Sequence, residues 1–182
     1  MKHRTKRRAR PLAAMAACFA LGLAAGWWLH ATGGPKPVVT GIPGSIDGLD
    51  VDTLKGGFSE HRSGDGGHAH EAVDILAPRN TPVHAVEDGT IAKLFLSRAG
   101  GNTIYQFDPS QRFVYYYAHL DRYADGVREG QPVKGGDVIG YVGTSGNAPP
   151  GTPHLHFAIS ELGADRRWWQ GDALDPYLVY RK

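Results

Sequence analysis

A chain of 182 residues with 41% hydrophobic and 21% charged side chains has the composition of a globular protein and room for one domain with a buried core. Its formal charge of +2 is uneven: Lys2, Arg4, Lys6, Arg7, Arg8 and Arg10 precede every acid, leaving fourteen cations against eighteen carboxylates beyond them. A nucleic-acid binder concentrates positive charge on its folded domain, so no nucleic-acid partner is expected here. Cys18 is the only cysteine, which rules out an intrachain disulfide.

In chain order, a basic flank (1–11) leads into "LAAMAACFALGLAAGWWL" (12–29), which carries no charge. About 18 apolar residues approach the ~20 needed to span a bilayer as a helix. The basic flank predicts a cytoplasmic N-terminus, and Trp27 and Trp28 stand where interfacial aromatics collect. A signal-anchor helix is therefore expected, with a cleaved signal peptide as the alternative. Either one exports the remainder to the periplasm or another extracytoplasmic space, and the anchor makes the membrane a partner. Residues 30–50, rich in Gly and Pro, read as a linker, and 51–182 as the domain.

From Val51 onward, short runs rich in Val, Ile, Tyr and Phe alternate with turn signals. "AVDILA", "PVHAV", "GTIAKLFL", "NTIYQF", "RFVYYYAHL", "DVIGYVG" and "HLHFAIS" read as strands separated by "PRN", "EDG", "AGGN", "DPSQ", "KGG" and "NAPPGTP". No segment sustains a 3.6-residue period over three turns, although "LDRYADGVREG" has room for one helical turn. The expected fold is mainly β, an antiparallel sheet or sandwich with short loops. Near the C-terminus, "RRWWQG" reads as a packing lid and "DPY" as a terminating turn.

Residues two apart on a strand share a face. In "HLHFAIS", Leu155, Phe157 and Ile159 form a core face, which leaves His154 and His156 together on the other. In "HEAVDIL", Val73 and Ile75 belong to the core, so His70 and Asp74 point away from it together. In "YYYAHL", His119 shares a face with Tyr115 and Tyr117. Zinc takes about four tetrahedral ligands from His, Cys and carboxylate, and a His/Asp/His set meets that need. Spacing alone leaves a metal site and a group of ordinary strand histidines both open. His61 and His84 have no such partners and read as surface residues.

The blocks "HEAVDILAPRNTPVHAVEDGTI", "YYYAHL", "VKGGDVIGYVGTSGN" and "PHLHF" stand in the order found in lysostaphin-like zinc endopeptidases of bacterial cell walls, a family that the chain resembles from Phe58 to Leu162. Ala72 and Asn80 stand where that family often has glycine. The resemblance implies that His70, Asp74 and His156 hold one zinc ion per chain, and that His119 and His154 are catalytic. It also implies a peptidoglycan substrate, cut within its cross-links or stem peptides, and a mostly antiparallel β fold with its site in a groove. Arg62, Asn102, Tyr115 and Tyr117 are candidates for the substrate groove. Their competing readings are a solvated loop arginine, a turn residue and, for the tyrosines, core packing. His68 reads as a rim residue. A non-catalytic wall-binding or hydrolase-activating module of the same fold is the alternative function, although all five metal and catalytic positions are retained. No protein partner is indicated.

Overall fold

The computed structural model describes residues 51–61 and 69–180. The basic flank 1–11, the apolar run 12–29, the linker 30–50, Arg62 and His68 lie outside the described residues. Among the described residues no helix is long and apolar enough to cross a membrane.

Among the described residues nine strands follow a pair of 3-10 turns at Val51–Leu54 and Gly57–Ser59. They are β1 (Val73–Leu76), β2 (Pro82–His84), β3 (Gly89–Ser97), β4 (Gly101–Phe107), β5 (Phe113–Tyr123), β6 (Pro132–Val133), β7 (Val138–Val142), β8 (His154–Leu162) and β9 (Gly171–Leu174). A short helix, α1 (Pro176–Tyr180), comes last. The strands form one sheet in the order β1-β8-β5-β4-β3-β6; β9 joins β8, and β7 pairs with both β2 and β5. Its pairings are antiparallel.

Every run read as a strand contains one, while β6 and β9 were not anticipated. The turn expected in "LDRYADGVREG" is not helical at its start, because Leu120–Tyr123 extend β5 and pair with β7. The terminating turn at "DPY" is instead the start of α1. The Asp175 carboxylate accepts the Tyr177 N–H at 2.9 Å there, which satisfies a donor that the first turn leaves open.

The core follows strand alternation. Val73, Ile75, Leu155, Phe157, Ile159, Tyr115 and Tyr117 point to one side and meet Val83, Ile139, Val142, Leu54 and Tyr180. Tyr115 and Tyr117, expected on the groove face beside His119, are core residues 1% and 0% exposed. Buried hydroxyls need partners. Tyr117 donates to Gln106 Oε1 at 2.8 Å and accepts from the Val86 N–H at 3.1 Å, while Tyr115 donates to the Glu87 carboxylate.

The face logic breaks at His119 because β5 carries an extra residue. Ile104 of β4 pairs with Tyr117, yet Asn102, two residues away, pairs with Leu120, three residues away. At the same point β5 exchanges neighbours: Ala118 pairs with His156 of β8, and Leu120 with Val142 of β7. This is a β-bulge. His119 takes it up with φ 58° and leaves the face of Tyr117, which allows Leu120 to rejoin the core.

Burial raises the Glu87 carboxyl above its ordinary 4.5, against the lowering effect of the Tyr115 hydroxyl. The folded chain therefore binds that proton more tightly than the unfolded one. The corresponding stability is complete below about pH 4.5 and is lost as pH rises through the raised native value. Denaturant unfolding of the chain and of its Glu87→Gln variant should show a stability difference that changes over that interval. A pH-independent difference refutes this account.

Candidate metal and catalytic centre

His70 reaches the site by a route that strand alternation does not describe. It precedes β1, and Glu71 after it has φ 53°, so the backbone turns between His70 and Val73. The segment is held from outside: the His70 N–H donates to the Glu60 carbonyl at 2.9 Å and the Glu71 N–H to the Phe58 carbonyl at 3.0 Å. Asp74 and His156 are register partners on β1 and β8 and so share a face.

The side chains converge. His70 Nε2 lies 3.1 Å from His156 Nδ1 and 3.3 Å from Asp74 Oδ1, and His156 Nδ1 lies 3.0 Å from Asp74 Oδ1. Tetrahedral zinc with bonds of about 2.0–2.2 Å separates its ligand atoms by roughly 3.3–3.6 Å, so this triangle needs an expansion of only a few tenths of an ångström to hold the ion. These three residues form the one group among the described residues whose donor atoms suit a metal.

The ring hydrogen bonds select tautomers, because a carbonyl can only accept. His70 Nδ1 donates to the Gly57 carbonyl at 3.0 Å, His119 Nδ1 to Ser145 at 2.8 Å, and His154 Nδ1 to Thr152 at 2.9 Å. In neutral rings this leaves each Nε2 with its lone pair. Burial holds His119 down at about 4, despite the Ser145 carbonyl, so the ring is neutral near pH 7. Its ring centre stands 4.8 Å from that of His154 and 5.6 Å from that of His156. His154 Nε2 is buried 3.7 Å from Asp74 Oδ1 and makes no hydrogen bond among the described residues. A buried nitrogen lone pair beside a carboxylate suits a site that takes a cation.

Of the proposed groove residues, Arg62 lies outside the described residues and Tyr115 and Tyr117 are core. Asn102 turns its carboxamide N–H groups to the Leu120 and Asp121 carbonyls at 3.3 and 3.1 Å. It braces the bulge that presents His119. Ser145, which the sequence reading did not single out, completes the brace: its hydroxyl donates to the Leu120 carbonyl at 2.6 Å and accepts the Asn102 N–H at 3.0 Å. The signal for Ser145 was the "GTSGN" block; its carbonyl partner has no sequence signature. Tyr116, placed opposite His119 by alternation, stands edge-on to His156 at 5.8 Å. His61 is exposed and bridges to Ala69, and His84 Nδ1 donates to the Gly136 carbonyl at 2.8 Å.

Gly146 has φ 76°, and a Cβ there would press into the Ala99 carbonyl oxygen. Gly146→Ala should separate the 99–101 and 145–147 turns and lower stability by about 2–4 kcal/mol. It should also shift the His119 ring resonance in NMR spectra, and an unmoved resonance contradicts the clamp.

Residues 68–176 match the family model described as peptidase family M23. The chain is 35% identical over 125 residues to an L-Ala–D-Glu endopeptidase of Bacillus subtilis, a match covering 66% of this chain and 37% of that protein. Among solved structures it resembles the catalytic domain of the antimicrobial peptidase lysostaphin from Staphylococcus simulans, with 31% identity, TM-score 0.57, and 66% and 85% of the two chains covered. A zinc-containing peptidase from Vibrio cholerae matches at 27% identity and TM-score 0.50, over 56% of this chain and 30% of that one. The chain thus spans well under half the length of the curated relative.

Proposed function

The chain belongs to peptidase family M23, and from that premise we propose that it is a zinc-dependent endopeptidase cutting cross-links or stem peptides of bacterial peptidoglycan. One observation carries the reading. A triangle of donor atoms with sides of 3.0, 3.1 and 3.3 Å stands beside two buried histidines whose Nδ1 protons are already committed to carbonyls. The endopeptidase names of the relatives and the zinc-containing neighbour support the same chemistry.

His70 through Nε2, Asp74 through Oδ1 and His156 through Nδ1 would hold the zinc. When bound, zinc supplies a Lewis acid that polarises the scissile carbonyl and lowers the pKa of water toward ~7. His119 and His154 carry the proton traffic. A neutral imidazole with a free Nε2 accepts a proton from the attacking water, and an imidazole that has gained one returns it to the leaving amine. The Ser145 and Thr152 carbonyls keep both rings in the accepting tautomer, so no rotation precedes the transfer. Two histidines within 4.8 Å do the work that a glutamate base does elsewhere.

The purified full-length chain should carry one zinc per molecule and release peptides from cell-wall sacculi. His70→Ala should lose the metal. His119→Ala should keep it and lose 10²-fold or more in turnover, the lower range of a general acid–base contribution. Zinc far below one per chain, with no peptide released, sinks the reading.

We also propose that the domain acts outside the cytoplasmic membrane, anchored through 12–29. The charge-free run behind a basic flank supports this. Residues 1–50 fused to alkaline phosphatase should give membrane-associated activity in cells, and an inactive cytoplasmic fusion overturns the placement.

A further inference from the structure

The sheet face that carries Asp74 and His156 continues beyond the five-residue site as a row of aromatic rings. Paired residues of antiparallel strands share a face, so the pairs Ala118↔His156, Tyr116↔Ala158 and Tyr105↔Tyr116 place both tyrosines on the site face. Tyr116 is edge-on to His156 at 5.8 Å, and Tyr105 follows Tyr116 at 4.7 Å. Trp168, from the loop between β8 and β9, packs on Tyr105 at 4.6 Å and on Phe95 at 5.6 Å. Trp169 closes the row at 5.1 Å from Trp168. The core lies on the other face, so core packing does not account for these rings. Trp169 is 59% and Phe95 40% exposed, an unusual cost for rings this large. The segment read as a packing lid covers the sheet with one tryptophan and turns the other to solvent.

We propose that this row is a carbohydrate track that stacks the N-acetylated amino sugars of peptidoglycan beside the peptide being cut. The proposal rests on the peptidase reading above. Three lines of chemistry select sugar over peptide as the occupant. An extended peptide advances about 3.4 Å per residue, so the successive ring steps carry the row several residues away from the metal ligands. At that distance a short stem peptide has ended at its sugar. Rigid ring faces bury the apolar C–H face of a pyranose at little entropic cost, and tyrosine hydroxyls offer polar contacts at the edge. The cations beside the row are matched, Lys93 by Glu129 at 2.8 Å and Arg167 by Asp165 at 2.9 Å, which suits a neutral ligand better than an acidic peptide.

The test compares kcat and KM on one cross-linked peptide with its disaccharides attached and with them removed. Trp169→Ala should raise KM at least fivefold on the sugar-bearing substrate and leave the sugar-free one unchanged. Trp168→Phe, which keeps the packing on Tyr105, should fall in between. Equal losses on both substrates assign the row to the peptide, and no loss on either removes its role; both outcomes overturn the proposal. So does a wild-type dimer in sedimentation that Trp169→Ala dissociates, because that gives the face to a second copy. If the wild type cuts neither substrate, the peptidase reading fails separately. Tryptophan fluorescence titrated with the disaccharide-tetrapeptide then decides the track: quenching that Trp169→Ala abolishes supports it, and no quenching refutes it.

Discussion

His119 sits where β5 takes up one residue more than its partner strand, in a left-handed conformation that a histidine adopts only when its surroundings hold it there. The surroundings are two turns that interlock. Gly101 and Gly146 let the 99–101 and 145–147 backbones touch, the His119 N–H reaches the Gly100 carbonyl at 2.8 Å, and Asn102 and Ser145 brace the strand beyond. Without the extra residue His119 would continue the face of Tyr117 and lie in the core. The bulge therefore decides that His119 joins the face of Asp74 and His156 while its neighbours Tyr117 and Leu120 stay in the core.

A second regularity lies in the histidine rings. His70, His119 and His154 each commit Nδ1 to a backbone carbonyl, whereas His156 turns Nδ1 itself toward Asp74 and His70. Backbone carbonyls are fixed by the sheet and its loops, so the ring orientations are set before any metal or substrate arrives. Such preorganisation is what electrostatic catalysis draws on, because dipoles fixed in advance need not reorient as charge develops.

Much of this was legible in the chain. Alternation in "HLHFAIS" separated Leu155, Phe157 and Ile159 from His154 and His156, and the structure divides them in the same way. Strand pairing also unites Asp74 with His156, from segments more than eighty residues apart. Alternation failed wherever the backbone left regular extension. Glu71 turns the chain before β1, so His70 shares its site with Asp74 for reasons other than strand period. The bulge separated His119 from Tyr115 and Tyr117, because an inserted residue shifts every later side chain to the other side and leaves the earlier ones where they were. Asn102 stood as a candidate for the groove or for a turn, and its carboxamide N–H groups meet backbone carbonyls. Contacts to backbone atoms leave no trace in side-chain identity, which is why these roles were not visible.

The Gly57 carbonyl that receives the His70 ring proton, with the Phe58 and Glu60 carbonyls beside it, lies upstream of the residues matched by the family model. The matched stretch therefore carries the side chains of the triangle, but the geometry of its first histidine is borrowed from a 3-10 turn outside it. Sequence drift in that turn would leave every signature residue intact while releasing one corner of the triangle. In a protein built this way, the identity of the clustered side chains and the geometry that brings them together are inherited by different stretches of chain.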